Sequence, residues 1–213
     1  MRVMLVFLAA LFMFVAFLPA DTSAGVSFGV SADEDGLKSF YLAIGEHFQA
    51  PQEEVILVRQ KRISDEELPV VYFLARRADV KPRAIIDLRL GGKSWMDITL
   101  KYGLTAEIYY VELKEASGPP YGKAYGHYKH KNRKQWGEIR LADDDIVNFV
   151  NLKFISNHYG YSPDEVARMR ENGSNFVTIN SKVKKEKAAK AKNKQLAKED
   201  DKSHKGKGKD KKK

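Results

Sequence analysis

Residues 121–136, Tyr-Gly-Lys-Ala-Tyr-Gly-His-Tyr-Lys-His-Lys-Asn-Arg-Lys-Gln-Trp, interleave flat rings with cations over one short stretch. Tyr121, Tyr125, Tyr128 and Trp136 could stack on sugars or bases, while Lys123, Lys129, Lys131, Arg133 and Lys134 could pair with anionic groups. The competing reading is that the tyrosines pin a long connection onto the domain beneath it. His127 and His130 form a His-x-x-His pair that His158 could approach in the fold, but no carboxylate at metal-ligand spacing stands beside them. We therefore expect a binding surface here, with neither a metal nor a cofactor. The sequence carries no nucleophile elbow, phosphate-binding glycine loop or metalloprotease helix. With no cysteine in the chain, thiolate catalysis, thiolate metal sites and disulfides are all excluded. The expectation is a non-enzymatic protein.

A second concentration of charge lies at the C-terminus. Residues 182–213 hold 15 lysines against five acids, more than the whole-chain excess of +9, so residues 1–181 carry a net −1. Lys184, Lys185, Lys187, Lys190, Lys192, Lys205, Lys207, Lys209, Lys211, Lys212 and Lys213 make up a candidate polycationic tail. Lysine without arginine or aromatics suits charge attraction to phosphate- or carboxylate-rich polymers better than the reading of bases. With so few apolar residues the tail cannot offset its ordering entropy by burial, and we expect it to be disordered or a frayed exposed helix.

The elements that must carry these groups follow a repeated pattern. An apolar residue is followed eleven positions later by Val or Ile and then by an apolar-Arg pair, at Ile44/Val55/Val58-Arg59, Leu74/Ile85/Leu88-Arg89 and Ile155/Val166/Met169-Arg170. The second and third copies, 81 residues apart, also share Phe73/Phe154, Pro82/Pro163, Gly92/Gly173, Trp95/Phe176 and Ile98/Ile179. Such a period predicts a mainly α fold of three short helical-hairpin units packed as one domain. Units one and two span 37–106, an irregular aromatic and basic insertion spans 107–141, unit three spans 142–181, and the lysine-rich tail follows from 182. Predicted helices run over 37–49, 53–62, 64–77, 82–90, 94–102, 145–158, 165–171 and from 176 onward. Ser64 with Glu67, and Ser162 with Glu165, form capping boxes that satisfy free helix N–H groups. Residues 108–111 read as a short strand or extended edge. The recurrent arginines fit a local role, satisfying helix C-terminal carbonyls and pairing with an acid; Trp95 and Phe176 fit the core, and His47 and His158 fit helix ends.

Residues 1–24 have the anatomy of a secretory signal peptide. Arg2 precedes an apolar run over Val3–Leu18, too short to span a bilayer comfortably, and Thr22-Ser23-Ala24 offers a small-x-small cleavage site. Cleavage near Ala24 would deliver a periplasmic or secreted chain, with 25–36 as a flexible lead-in; an uncleaved anchor is the alternative. Asn172-Gly173-Ser174 fits an N-glycosylation acceptor in a host that uses such sites.

Two resemblances bear on function. Within 85–108, Leu88-Arg89, Gly91-Gly92, Ser94, Ile98, Tyr102-Gly103-Leu104-Thr105 and Ile108 resemble the helix-turn-helix pattern of DNA-binding domains. That resemblance implies that residues 105–116 enter a major groove, where Glu107, Glu112 and Glu115 against Lys114 alone would be repelled by phosphates. The segments at 65–69, 92–98 and 160–166 (Asp-Glu-Glu-Leu-Pro, Gly-x-Ser-Trp-Met-Asp-Ile and Gly-Tyr-Ser-Pro-Asp-Glu-Val) resemble a group of exported bacterial helical proteins. This implies export and a helical fold and supplies no activity. The leading expectation is an exported helical scaffold that docks through its tail on an anionic envelope polymer or a protein partner. A nucleic-acid-binding protein with a basic arm is the alternative, and an envelope carbohydrate-active enzyme using residues 121–136 is the third.

Overall fold

Helix-compatible segments alternate with Gly, Pro and Ser/Asp stops along the chain, and the outcome is mainly helical, with no strand among the described residues. The computed structural model describes residues 34–59, 62–114 and 118–206, so the expected signal peptide lies outside the described residues. The helices are α1 (Glu34–Phe48), α2 (Gln52–Arg59), α3 (Leu68–Ala78), α4 (Pro82–Leu90), α5 (Trp95–Lys101), α6 (Tyr121–Lys129), α7 (Asp143–Tyr159), α8 (Pro163–Glu171) and α9 (Phe176–Gly206).

Local chemistry sets most of these bounds. Pro82 and Pro163 open α4 and α8 at the position where a missing N–H costs nothing. The Ser94 and Ser162 hydroxyls accept from the backbone N–H groups of Asp97 and Glu165. Gly92 and Gly173 follow α4 and α8 with the same φ of 85°, a left-handed turn that a side chain would strain. The 81-residue offset carries the bounds of α4 onto those of α8 and the start of α5 onto the start of α9. A second offset, of 111 residues, carries α2 onto 163–170 and the end of α1 onto the end of α7.

α7 is the central element, packing against α1, α3, α5, α6, α8 and α9, while α1 also lies along α2 and α9. Its Phe149, Leu152, Phe154 and Ile155 are buried with Phe40 and Ile44 of α1 and Leu74 of α3. Each such side chain contributes roughly 1.5–3 kcal/mol on removal from water, which explains how a chain without disulfides holds this core.

Three expectations are corrected. Residues 34–36 belong to α1, with Gly36 buried, so the lead-in ends earlier than 36. Residues 106–109 form a 3-10 turn in place of a strand, because Ala106 and Tyr109 must both turn inward. The 107–141 insertion is largely ordered as helix. It contains α6 and a 3-10 segment over Arg133–Glu138, since burying Tyr121, Ala124 and Tyr128 on one face outweighs the low helix propensity of Gly122 and Gly126.

Candidate functional site

The aromatic and basic stretch folds its rings inward. Tyr121 is 1% exposed and Tyr128 is 2% exposed, their rings 6.1 and 6.0 Å from Phe149 of α7. The Tyr128 hydroxyl donates to the Ala106 carbonyl at 2.7 Å. Trp136, half-buried, donates its indole N–H to the carbonyls of Lys131 and Tyr128 and stacks 4.6 Å from Tyr110. These rings fasten α6 and the following 3-10 segment to the core, so Tyr121 and Tyr128 present no open face to a ligand. Two of the cations are engaged as well. Lys131 pairs with Glu138 at 3.1 Å, and Arg133 pairs with Glu107 at 3.3 Å while lying over the Trp136 ring. Lys123, His127, Lys129 and Lys134 point to solvent.

What remains there is a groove of about 610 Å³ bordered by Tyr110, Tyr125, Lys114, Lys129, His130 and Trp136. The buried Tyr125 hydroxyl has no hydrogen-bond partner among the described residues, and burial pushes it far above the usual phenol range. His158 does not join His127 and His130. Its ring lies 5.9 Å from that of His47, and its Nε2 is 3.5 Å from Glu46. Burial, the nearby His158 and Arg76 together lower His47 to about 4, so it is neutral at physiological pH.

Of the two expectations for the lysine-rich segment, disorder or an exposed helix, the described residues show the helix, through Gly206. α9 starts in the core, with Phe176, Val177, Ile179 and Val183 buried, so the boundary at 182 cuts through a packed turn. Lys184 donates to the Ser39 hydroxyl at 3.1 Å, Tyr161 donates to Glu186 at 2.8 Å, and Lys187 and Lys190 lie over the rings of Tyr159 and Tyr161. From Lys187 to Ala197 every side chain is exposed, Lys187, Lys190 and Lys192 included. Alanines 188, 189, 191 and 197 sustain the helix there by propensity. Lys184 and Lys185 are exposed at the base of the arm, Lys205 falls in its last helical turn, and Lys207, Lys209, Lys211, Lys212 and Lys213 lie outside the described residues.

The recurrent arginines serve structure. The Arg89 guanidinium lies 4.7 Å from the Trp95 ring, donates to the Lys93 carbonyl at 3.1 Å, and pairs with Glu67 and Asp143. Arg170 lies 4.7 Å from the Phe176 ring, donates to the Ser174 carbonyl at 3.1 Å, and bonds Asn148 and Glu66. The acids are exchanged between the two segments related by the 81-residue offset. Asp143, at the start of α7, accepts from the Trp95 backbone N–H at 2.8 Å, and Glu66, just before α3, accepts from the Phe176 backbone N–H. Asp143 thus caps α5 and Glu66 caps α9, where the positive helix end favours a carboxylate. The role of Arg59 falls outside the described side chains.

One group of side chains carries no signal in a linear reading. Arg76 and Arg77 of α3 and Lys153 and Asn157 of α7 border a cleft of about 390 Å³ with His47 and Phe73. Lys153 is lowered to about 8, by burial first and by Arg77 second. The helix-turn-helix resemblance finds its first two helices in α4 and α5. Among the described residues of the segment meant to enter the groove, the one helical element is the 106–109 turn, and Ala106, Tyr109 and Val111 are buried in the core.

No protein-family model, curated protein or solved structure matches this chain.

Proposed function

We propose that the protein is an exported, non-enzymatic binding protein. In this reading three helical-hairpin units form one scaffold, and α9 docks it on an anionic envelope polymer. The supporting observation is the α9 arm. Residues 191–206 continue the helix past the packed body for about 24 Å at 1.5 Å per residue. The side chains of 188–197 are all exposed, and Lys190, Lys192 and Lys194 have no ion pair among the described residues. Exposed lysines such as Lys192 and Lys194 gain little from the body that carries them and gain strongly from a polyanion, through charge neutralisation and counterion release. Export rests on the signal-peptide anatomy of residues 1–24. Among the described residues no helix is long and apolar enough to cross a membrane.

The test compares the full mature chain with one ending at Lys187, which keeps every buried residue of α9. Binding to labelled poly(glycerol phosphate) is followed by anisotropy across a salt series. The full chain should bind with a negative slope of log K against log salt, on the order of 0.7 per phosphate engaged, and the shortened chain should lose most of that slope. Equal slopes would refute docking through α9. Mass spectrometry of the native protein tests export separately: an N-terminus near Gly25 outside the cytoplasm supports it, and an intact Met1 in the cytosol overturns it.

A further inference from the structure

The cleft between α3, α7 and the end of α1 brings three cations together with no carboxylate on its walls. On α3, Phe73, Arg76 and Arg77 fall at i, i+3 and i+4; on α7, Lys153 and Asn157 fall at i and i+4, so both helices turn these side chains to one side. Arg77 and Lys153 flank a single ring, their charged groups 5.4 and 5.6 Å from the Phe73 centroid. Lys153 donates to the Ile108 carbonyl at 2.8 Å, which uses one of its three N–H donors and leaves two. Arg76 and Arg77 have no ion pair among the described residues, and the nearby Glu46 is turned to His158.

The end of α3 accounts for basic residues at 76 and 77, since cations are favoured in a last turn. It does not account for Lys153. That side chain sits in the middle of a 17-residue helix, where the helix dipole gives no help, and it is held partly out of water beside another cation. Such an arrangement is unfavourable alone and becomes favourable when an anion enters, because charge-assisted hydrogen bonds in a partly desolvated cleft are stronger than at the surface. The volume lies within the range of small-molecule sites. Phe48 and Phe73 supply an apolar wall beside the charges.

We propose that this cleft binds a small organic anion, its carboxylate or phosphate head held by Arg76, Arg77 and Lys153 and its apolar part against Phe48 and Phe73. Asn157 adds a neutral donor that fixes the orientation of the head. The site shares no lining residue with the α9 arm and does not depend on the docking reading.

Phenyl phosphate, benzoate, inorganic phosphate and neutral benzyl alcohol are titrated into the full mature chain at low salt, followed by amide spectra and calorimetry. Phenyl phosphate or benzoate should move the resonances of Arg76, Arg77, Lys153 and Asn157, and the tighter of the two identifies the head group. R77Q and K153M should each weaken that binding about tenfold, equivalent to ~1.4 kcal/mol, while K101Q on the exposed face of α5 should not. Should K153M fail to fold by circular dichroism, R76Q and R77Q, whose parent residues are exposed, carry the test. Benzyl alcohol binding as tightly as the anions, or shifts confined to the lysines of α9, would overturn the proposal. Inorganic phosphate matching phenyl phosphate would remove the apolar half of it.

Discussion

Glu67 accepts more hydrogen bonds than its size suggests, and replacing it by alanine should test how the start of α3 is tied to Arg89 and Trp95. One carboxylate oxygen takes the Arg89 Nε at 3.0 Å, the Arg89 Nη2, and the Trp95 indole N–H at 3.0 Å. The other takes the Ser64 hydroxyl at 2.9 Å and the Ser64 backbone N–H at 3.2 Å. E67A leaves the indole N–H of a fully buried tryptophan without a partner, at a cost of about 1–3 kcal/mol. It also removes charge-assisted bonds to Arg89 of about 1.5–3 kcal/mol, taken at the low end because the pair is 23% and 17% exposed and Asp143 still holds the guanidinium. Loss of the cap adds about 1 kcal/mol, and since these terms overlap the expected total is about 3 kcal/mol. For a domain of this size that is a fall in Tm of about 6–12 °C. Urea denaturation followed by far-UV circular dichroism gives the free energy directly. E67Q, which keeps an acceptor for Trp95 but no charge for Arg89, should fall between wild type and E67A. The reasoning fails if E67A loses less than about 1 kcal/mol, or if E67A and R89A add without coupling in a double-mutant cycle.

The exchanged caps lead to a second expectation: E66A should destabilise the fold by about 1–2 kcal/mol and speed hydrogen exchange at the Phe176 amide, and unchanged exchange there would show that the cap is dispensable. Acid should weaken the fold through two groups. His47 is lowered in the folded state, so its contribution is complete above its ordinary value near 6.5 and is lost as pH falls towards about 4. Glu67 acts in the same sense: burial raises it, but hydrogen bonds from Ser64 and Arg89 outweigh burial and hold it below the usual carboxylate range, so its contribution disappears as pH falls through that depressed value. Histidine resonances recorded from pH 7 to pH 3, an interval spanning both ordinary values, should show His47 neutral until about 4, and a midpoint near 6.5 would contradict its burial. G92A and G173A should each cost about 1–2 kcal/mol through the left-handed turn alone, since an added Cβ meets no neighbour, and chemical denaturation measures it.

The insertion shows where linear reading stops. Pro119-Pro120, two glycines and alternating cations read as a connection, and nothing local favours the helix over 121–129. Its stability comes from Phe149 and Ala106, outside the insertion, and from Tyr110, eleven residues before the helix starts. The cleft was invisible for a related reason: Arg76, Arg77, Lys153 and His47 belong to three helices, and each alone is an ordinary surface or helix-end residue.

The chain's own pattern determined the start and stop of most helices, the matched arginine, ring and glycine positions 81 residues apart, and the confinement of the net positive excess to the C-terminal segment. These are local matters of caps, proline and glycine geometry and composition, which act over a few residues whatever the chain does elsewhere. Tertiary structure decided that Glu66 and Asp143 serve helices far away in sequence, that Tyr121 and Tyr128 of α6 are buried against the core, and that three cations meet around Phe73. Those outcomes depend on which faces the packing against α7 buries, and burial turns isolated hydrogen-bond donors and charges into partners or into a site.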